Sequence, residues 1–170
     1  LSNGVCSLRP NEDKLCFSAV FKINENAQIL DQWFGRTVIH SNRRFSYEEA
    51  QAIIETGEGE MKDEILTYHK LATLLRTRRF KTGSFSFERV EVKFHLDEEG
   101  APTGVYFKEA RESNWLIEEF MLLTNKKVAE KIGRKKGNQE PKTFIYRIHD
   151  TPNPEKLHTF SEFVSKLGYR

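Results

Sequence analysis

Between Leu15 and Ile23 an apolar side chain falls on every second residue: Leu15, Phe17, Ala19, Phe21 and Ile23 alternate with Cys16, Ser18, Val20 and Lys22. A period of two is the period of a strand with one strongly apolar face. Asn24-Glu25-Asn26 then offers a reversal into a second extended run, Gln28 to Ile39, carrying Trp33, Phe34 and Val38. So short a connection lays the second strand antiparallel beside the first, because parallel neighbours need a crossover of roughly a dozen residues or more. The chain is therefore predicted to build its sheet from hairpins.

A second hairpin is predicted after Thr82-Gly83. The segment SFSFERVEVKFHL alternates, and its phase switches near Glu88: Phe85 and Phe87 lie on one face, Val90 through Leu96 place their apolar residues on the other. Asp97-Glu98-Glu99-Gly100 turns the chain into Val105 and Phe107. Elsewhere the period is helical. Ser46-Tyr47-Glu48-Glu49 has the form of a capping box and opens a helix from Tyr47 to about Glu55, which stops in ETGEGE. Ile65, Tyr68, Ala72 and Leu75 predict a longer helix from Met61 to about Phe80, with Arg76, Arg78, Arg79 and Lys81 complementing the dipole at its end. A third helix is expected from roughly Ser113 to Ile132. Phe144, Tyr146 and Ile148 predict a short strand, and Pro154 opens a last helix carrying Leu157, Phe160, Val164 and Leu167. The expected fold class is α/β in the α+β sense: a mixed, mainly antiparallel sheet with packed helices, in one domain of 170 residues.

Several function classes are excluded or disfavoured by composition. At 38% hydrophobic and 31% charged the chain reads as soluble and globular, and no apolar run approaches the roughly 20 residues that span a bilayer. With no signal peptide in view, the expected location is the cytoplasm, with no membrane partner. Cys6 and Cys16 suggest neither zinc nor a disulfide, and nothing marks either, or any serine, as a nucleophile. Asp13, Asp31, Asp63, Asp97 and Asp150 are scattered, so no aspartate cluster for magnesium is expected; the five histidines never pair at metal-ligand spacing. No phosphate-cradling glycine loop appears. A complete active site is not expected here. The chain opens at Leu1, without an initiator Met, in an irregular segment, and reads as the middle of something longer.

Two features fit single-stranded nucleic acid, which is held by positive grooves and stacking aromatics. One is the Arg76 to Lys81 cluster leading into Phe85 and Phe87; the other is the basic run from Lys126 to Lys136. Their bland reading is a solvated charged face and core phenylalanines. A third feature is NWLIEEFMLLTN, Asn114 to Asn125, in which Glu118 and Glu119 sit among apolar residues. Neighbouring helical residues point about 100° apart, so if Ile117, Phe120, Met121 and Thr124 face a core, one acid lies close to the buried edge. The bland reading is that one carboxylate faces solvent and the other pairs with Arg111 or a nearby lysine.

The blocks LSNGVCSLRPNEDKLCFS, SNRRFSY, GSFSFE, NWLIEEFMLLTN and FIYRIHDTPNPEKL occur in an order and spacing that resemble the RNB-type catalytic domain of the ribonuclease R and ribonuclease II family, ribonuclease R the more closely. The resemblance covers essentially the whole chain. It implies a processive, hydrolytic, magnesium-dependent exoribonuclease, itself monomeric, that degrades single-stranded RNA from its 3′ end to 5′-mononucleotides through a narrow channel. Phe87 matches a ring that clamps the stacked bases. Glu118 matches an acid near the terminal ribose, with Glu119 as the alternative one position on, and Arg79 joins the RNA-binding set. His149 and Asp150 match the family pattern in a structural role. By the same resemblance the magnesium-binding aspartates and the other clamp ring lie before Leu1 and the catalytic arginine after Arg170. The chain is then the central portion of a catalytic domain, with no catalytic or metal-binding residue of its own, inactive alone and prone to self-associate. The competing expectations are an RNA-binding or adaptor module that has lost catalysis, and a domain that only pairs with another chain.

Overall fold

A computed structural model of the chain describes residues 4–85, 91–134, 137, 140–148 and 150–169. It divides into two compact units, Leu1–Glu130 and Lys131–Arg170.

The first unit begins with the expected hairpin. Strands β1 (Asp13–Ile23) and β2 (Ile29–His40) pair antiparallel, with Leu15 opposite Val38 and Phe17 opposite Arg36. The reversal works through one side chain. Asn24 Oδ1 accepts from the amides of Asn26 (3.1 Å) and Gln28 (2.9 Å), which closes the chain on itself where the ladder ends.

Helix α1 (Tyr47–Thr56) starts on the predicted capping box: Ser46 Oγ accepts from the Glu49 amide at 3.1 Å, and Glu49 Oε2 accepts from the Ser46 amide at 2.7 Å. It stops at Gly57, which takes the left-handed conformation. Gly59, with φ of 131°, completes the corner into α2 (Lys62–Lys81); a Cβ there would stand 2.7 Å from Ile53 Cγ1, so only glycine lets the chain pass over that side chain. Ile53 of α1 and Ile65 and Ala72 of α2, with Ala27 from the first turn, are the buried hydrophobic residues among those described.

The second hairpin, β3 (Glu91–Leu96) with β4 (Pro102–Lys108), is antiparallel as expected, and Asp97 Oδ1 shapes its turn by accepting from Glu99 N and Ala101 N. The phase switch near Glu88 lies outside the described residues. Helix α3 (Glu112–Gly133) follows. Its entry is capped from α1: Gln51, buried to 5% exposure, accepts from the Ser113 amide with Oε1 and donates to Glu112 and Glu55 with Nε2. The amide spacing along the sequence gives no hint of this contact.

In the second unit the strand expected at Phe144, Tyr146 and Ile148 does not form; residues 140–148 run without ladder partners. A strand is stabilised by a neighbour's backbone, and alternation alone supplies none. Its trace survives in the side chains, since Phe144 and Tyr146, two residues apart, meet edge to face at 5.0 Å. The segment is instead tied by Lys142 N to Ile132 O (3.0 Å), with the Tyr146 hydroxyl against Gly133. Helix α4 (Pro154–Lys166) is capped by Asn153 and has no buried residue. Among the described residues, four helices and two small antiparallel sheets make the mixed α/β class that the periodicities predict.

Candidate functional site

The paired acids are answered by α2. On α3, Trp115, Glu118 and Glu119 stand at i, i+3 and i+4 and share one face; on α2, Arg76, Arg79 and Phe80 do the same. The two stripes meet. Arg79 Nε donates to Glu119 Oε1 at 3.1 Å and Oε2 at 3.3 Å, and Arg79 Nη2 donates to Glu119 Oε1 at 2.5 Å and to Glu118 Oε1 at 2.9 Å. Arg76 Nη1 lies 3.6 Å from Glu119 Oε1 and 3.9 Å from Glu118 Oε2, and its guanidinium stacks over the rings of Trp115 (4.5 Å) and Phe80 (4.9 Å).

Burial separates the two acids. Glu119 is 3% exposed and, among the described residues, accepts hydrogen bonds from Arg79 with Arg76 at ion-pair distance, whereas the side chain of Glu118 is 47% exposed. A buried carboxylate is tolerable only when paired and hydrogen-bonded, and the arginine fork supplies both. The hydrogen bond to Glu119, with the charges of Glu119 and Glu118, raises the pKa of Arg79 above its ordinary value and fixes its positive charge.

Two expectations are corrected. Ile117 and Met121, expected on the buried face of α3, are exposed, and the acid occupies the interior position because two arginines one turn apart on α2 stand across from it. Nor is the partner Arg111 or a lysine: Arg111 lies just before α3, about two turns from the acids, and pairs with Glu55 at 3.7 Å. Trp115 was outside the expected site set, and Arg76 entered only as part of the basic cluster, although the spacings R-x-x-R-F and W-x-x-E-E carry the signal that joins them.

A cleft of about 500 Å³ opens beside the cluster, lined by Ala27, Arg78, Arg79, Glu119, Leu122 and Lys126 among others. Arg78 spends its guanidinium on the first turn, donating to the carbonyls of Ala27 (3.3 Å) and Asn26 (2.9 Å). The remaining predicted site residue, Phe87, lies outside the described residues, as do His149, expected in a structural role, and Lys135 and Lys136 of the basic loop. Magnesium asks for several hard oxygen ligands around one point. Among the described residues no group of three His, Cys, Asp or Glu could hold a metal ion, so they do not fit a magnesium centre. No helix among them is long and apolar enough to cross a membrane.

A family model described as the RNB domain matches residues 1–169. DIS3-like exonuclease 2 of Caenorhabditis elegans is 36% identical over 186 residues, covering 99% of this chain and 22% of that protein. A protein of Arabidopsis thaliana named inactive exonuclease DIS3L2 is 33% identical, covering 99% and 17%. Ribonuclease R of Aquifex aeolicus is 31% identical over 176 residues, covering 100% and 24%. The chain thus spans less than a quarter of the length of these curated relatives, from 17% to 24%. Among solved structures, RNase R of Mycoplasma genitalium in complex with ribose methylated single-stranded RNA superimposes with a TM-score of 0.80 at 23% identity, covering 99% of this chain and 26% of that one, a likeness of fold. With the family model matched from residue 1 to residue 169, this chain belongs to the RNB domain family, whose members include ribonuclease R and the DIS3-like exonucleases.

Proposed function

We propose that the protein containing this chain is a processive, hydrolytic 3′-to-5′ exoribonuclease that releases 5′-mononucleotides. This chain would line the RNA channel where the terminal ribose is read. The observation that carries the reading is the state of Glu118, on a chain of this family. Its carboxylate is half-exposed, its Oε1 is held by Arg79, and its Oε2 has no hydrogen-bond donor among the described residues, since Arg76 Nη1 stands at 3.9 Å. A fixed carboxylate with one oxygen uncommitted suits a ribose hydroxyl, and acceptance from the 2′-hydroxyl is what distinguishes RNA from DNA. Glu118, Glu119 and Arg79, with Phe87 as the stacking ring, form the proposed RNA-binding set.

On this reading the magnesium that the reaction uses is held outside this chain, which the lack of a three-ligand metal group among the described residues supports, and hydrolysis of a phosphodiester without metal or transition-state donors is negligible. The 170-residue chain alone is therefore inactive. The whole enzyme works as a monomer in the cytoplasm on the 3′ end of single-stranded RNA, while the isolated chain self-associates through its exposed apolar faces.

One observation favours a second reading, a non-catalytic RNA-binding module: a relative 33% identical over 99% of the chain bears the name of an inactive exonuclease. Mononucleotide release from a single-stranded RNA oligomer with magnesium, by this chain and by the whole protein, separates the readings. Release by the whole protein alone supports the enzyme; release by neither, with RNA still bound, supports the module. Cutting by the short chain would overturn both the proposed division of labour and the placement of the metal site.

A further inference from the structure

The geometry points to Arg79 as a positioning residue that sets the discrimination between ribose and deoxyribose through Glu118, and this rests on the reading of Glu118 as the ribose acceptor. The argument starts from where the guanidinium is anchored. Three of the contacts from Arg79 go to Glu119, which is buried, and one goes to Glu118, which is half-exposed. The buried acid therefore fixes the fork, and the fork in turn fixes the exposed acid. Nη2 is the shared atom: it donates to Glu119 Oε1 at 2.5 Å and to Glu118 Oε1 at 2.9 Å.

A surface glutamate ordinarily samples several rotamers, and ordering it on ligand binding costs affinity. Here Oε1 of Glu118 is already taken, so the carboxylate can swing only about that contact, and Oε2 is the oxygen left to accept a hydroxyl. Arg76 supports the arrangement from the other side without competing for it, because its stacking on Trp115 and Phe80 holds it 3.9 Å from Glu118 Oε2. A lysine at position 79 would keep the charge but could not present the planar fork that engages both acids at once. The chemistry thus assigns two roles to one arginine: burial partner of Glu119 and orienter of Glu118.

The test uses the whole protein and two RNA oligomers that differ only in the 2′-hydroxyl of the last nucleotide, each with a phosphorothioate at the final linkage to slow hydrolysis. The readout is the ratio of their Kd values. In Glu118→Ala the ratio should fall about tenfold, the size expected for loss of a hydrogen bond to a charged group. In Arg79→Lys it should fall nearly as far with Glu118 still present. If Arg79→Lys does not fold, Glu119→Gln replaces it; this variant leaves one neutral acceptor to anchor the fork, and a smaller fall in the same direction is expected. A wild-type ratio in the position-79 or position-119 variant, with loss in Glu118→Ala, overturns the positioning role and leaves the ribose reading standing. A wild-type ratio in Glu118→Ala overturns both.

Discussion

The α2–α3 junction and the β1–β2 hairpin invert the ordinary arrangement of a folded chain. At the junction a carboxylate is 3% exposed, against two arginines; on the hairpin, the apolar face carries Leu15 at 88%, Phe17 at 75% and Val38 at 63% exposure. Folding is usually driven by burial of apolar area, yet here charge is inside and hydrocarbon outside. The difference teaches that the two regions hold shape by different means. The hairpin is defined by its backbone ladder and the Asn24 turn, which need no covered face. The junction is defined by side-chain donors and acceptors that must match one for one.

The comparison breaks first at Glu119. Glu119→Ala leaves Arg79 with one half-exposed acid, and removing one member of a buried pair costs on the order of 3–5 kcal/mol. Because the Arg79 side chain is 26% exposed and water can reach it, the lower end, about 3 kcal/mol, is expected. The urea midpoint of the variant checks this. A loss below about 1 kcal/mol would mean the junction is held by its rings, Tyr68 against Phe120 at 5.8 Å included, and not by its charges.

The hairpin gives the opposite expectation. Replacing Leu15, Phe17 and Val38 together by threonine keeps strand propensity while removing the exposed hydrocarbon. The isolated chain should stay folded, and its self-association constant should weaken by about tenfold or more, since an exposed apolar face is what a second copy would cover. Sedimentation velocity over a concentration series measures it. Unfolding of the triple variant would show that this face is a core and erase the contrast.

Local chemistry explains what could be read from the residues alone. The Asn24 and Asp97 turns, the Ser46 capping box and the periods of α2, α3 and α4 all act within a few residues, so their signals lie side by side in the sequence. The acid pair was conspicuous for the same reason, being polar in an apolar stripe. Its partner was not, because Arg79 lies 40 residues away and nothing local favours it over Arg111. Gln51 capping Ser113 across 62 residues escaped altogether, and the lone strand at Phe144 failed because pairing is a property of two segments.

The smallest effect is expected at the α1 cap, where the contact is exposed and local. Glu49 accepts from the Ser46 amide and from Arg43 Nη2 at 2.9 Å, and the backbone hydrogen bond, before the arginine, holds its pKa below the ordinary 4.5. A carboxylate whose folded pKa is depressed contributes stability that is complete above its unfolded value and is lost as pH falls through the folded one. Wild type should therefore exceed Glu49→Gln in urea midpoint at pH 7, and the gap should close as pH drops below about 4.5. The junction is common to both proteins, so the gap between wild type and Glu49→Gln isolates the cap from it. A gap that persists to pH 3 would mean that the neutral glutamic acid caps the helix as well as the carboxylate does. The ladder of effects would then end with geometry and not charge, as the hairpin already does.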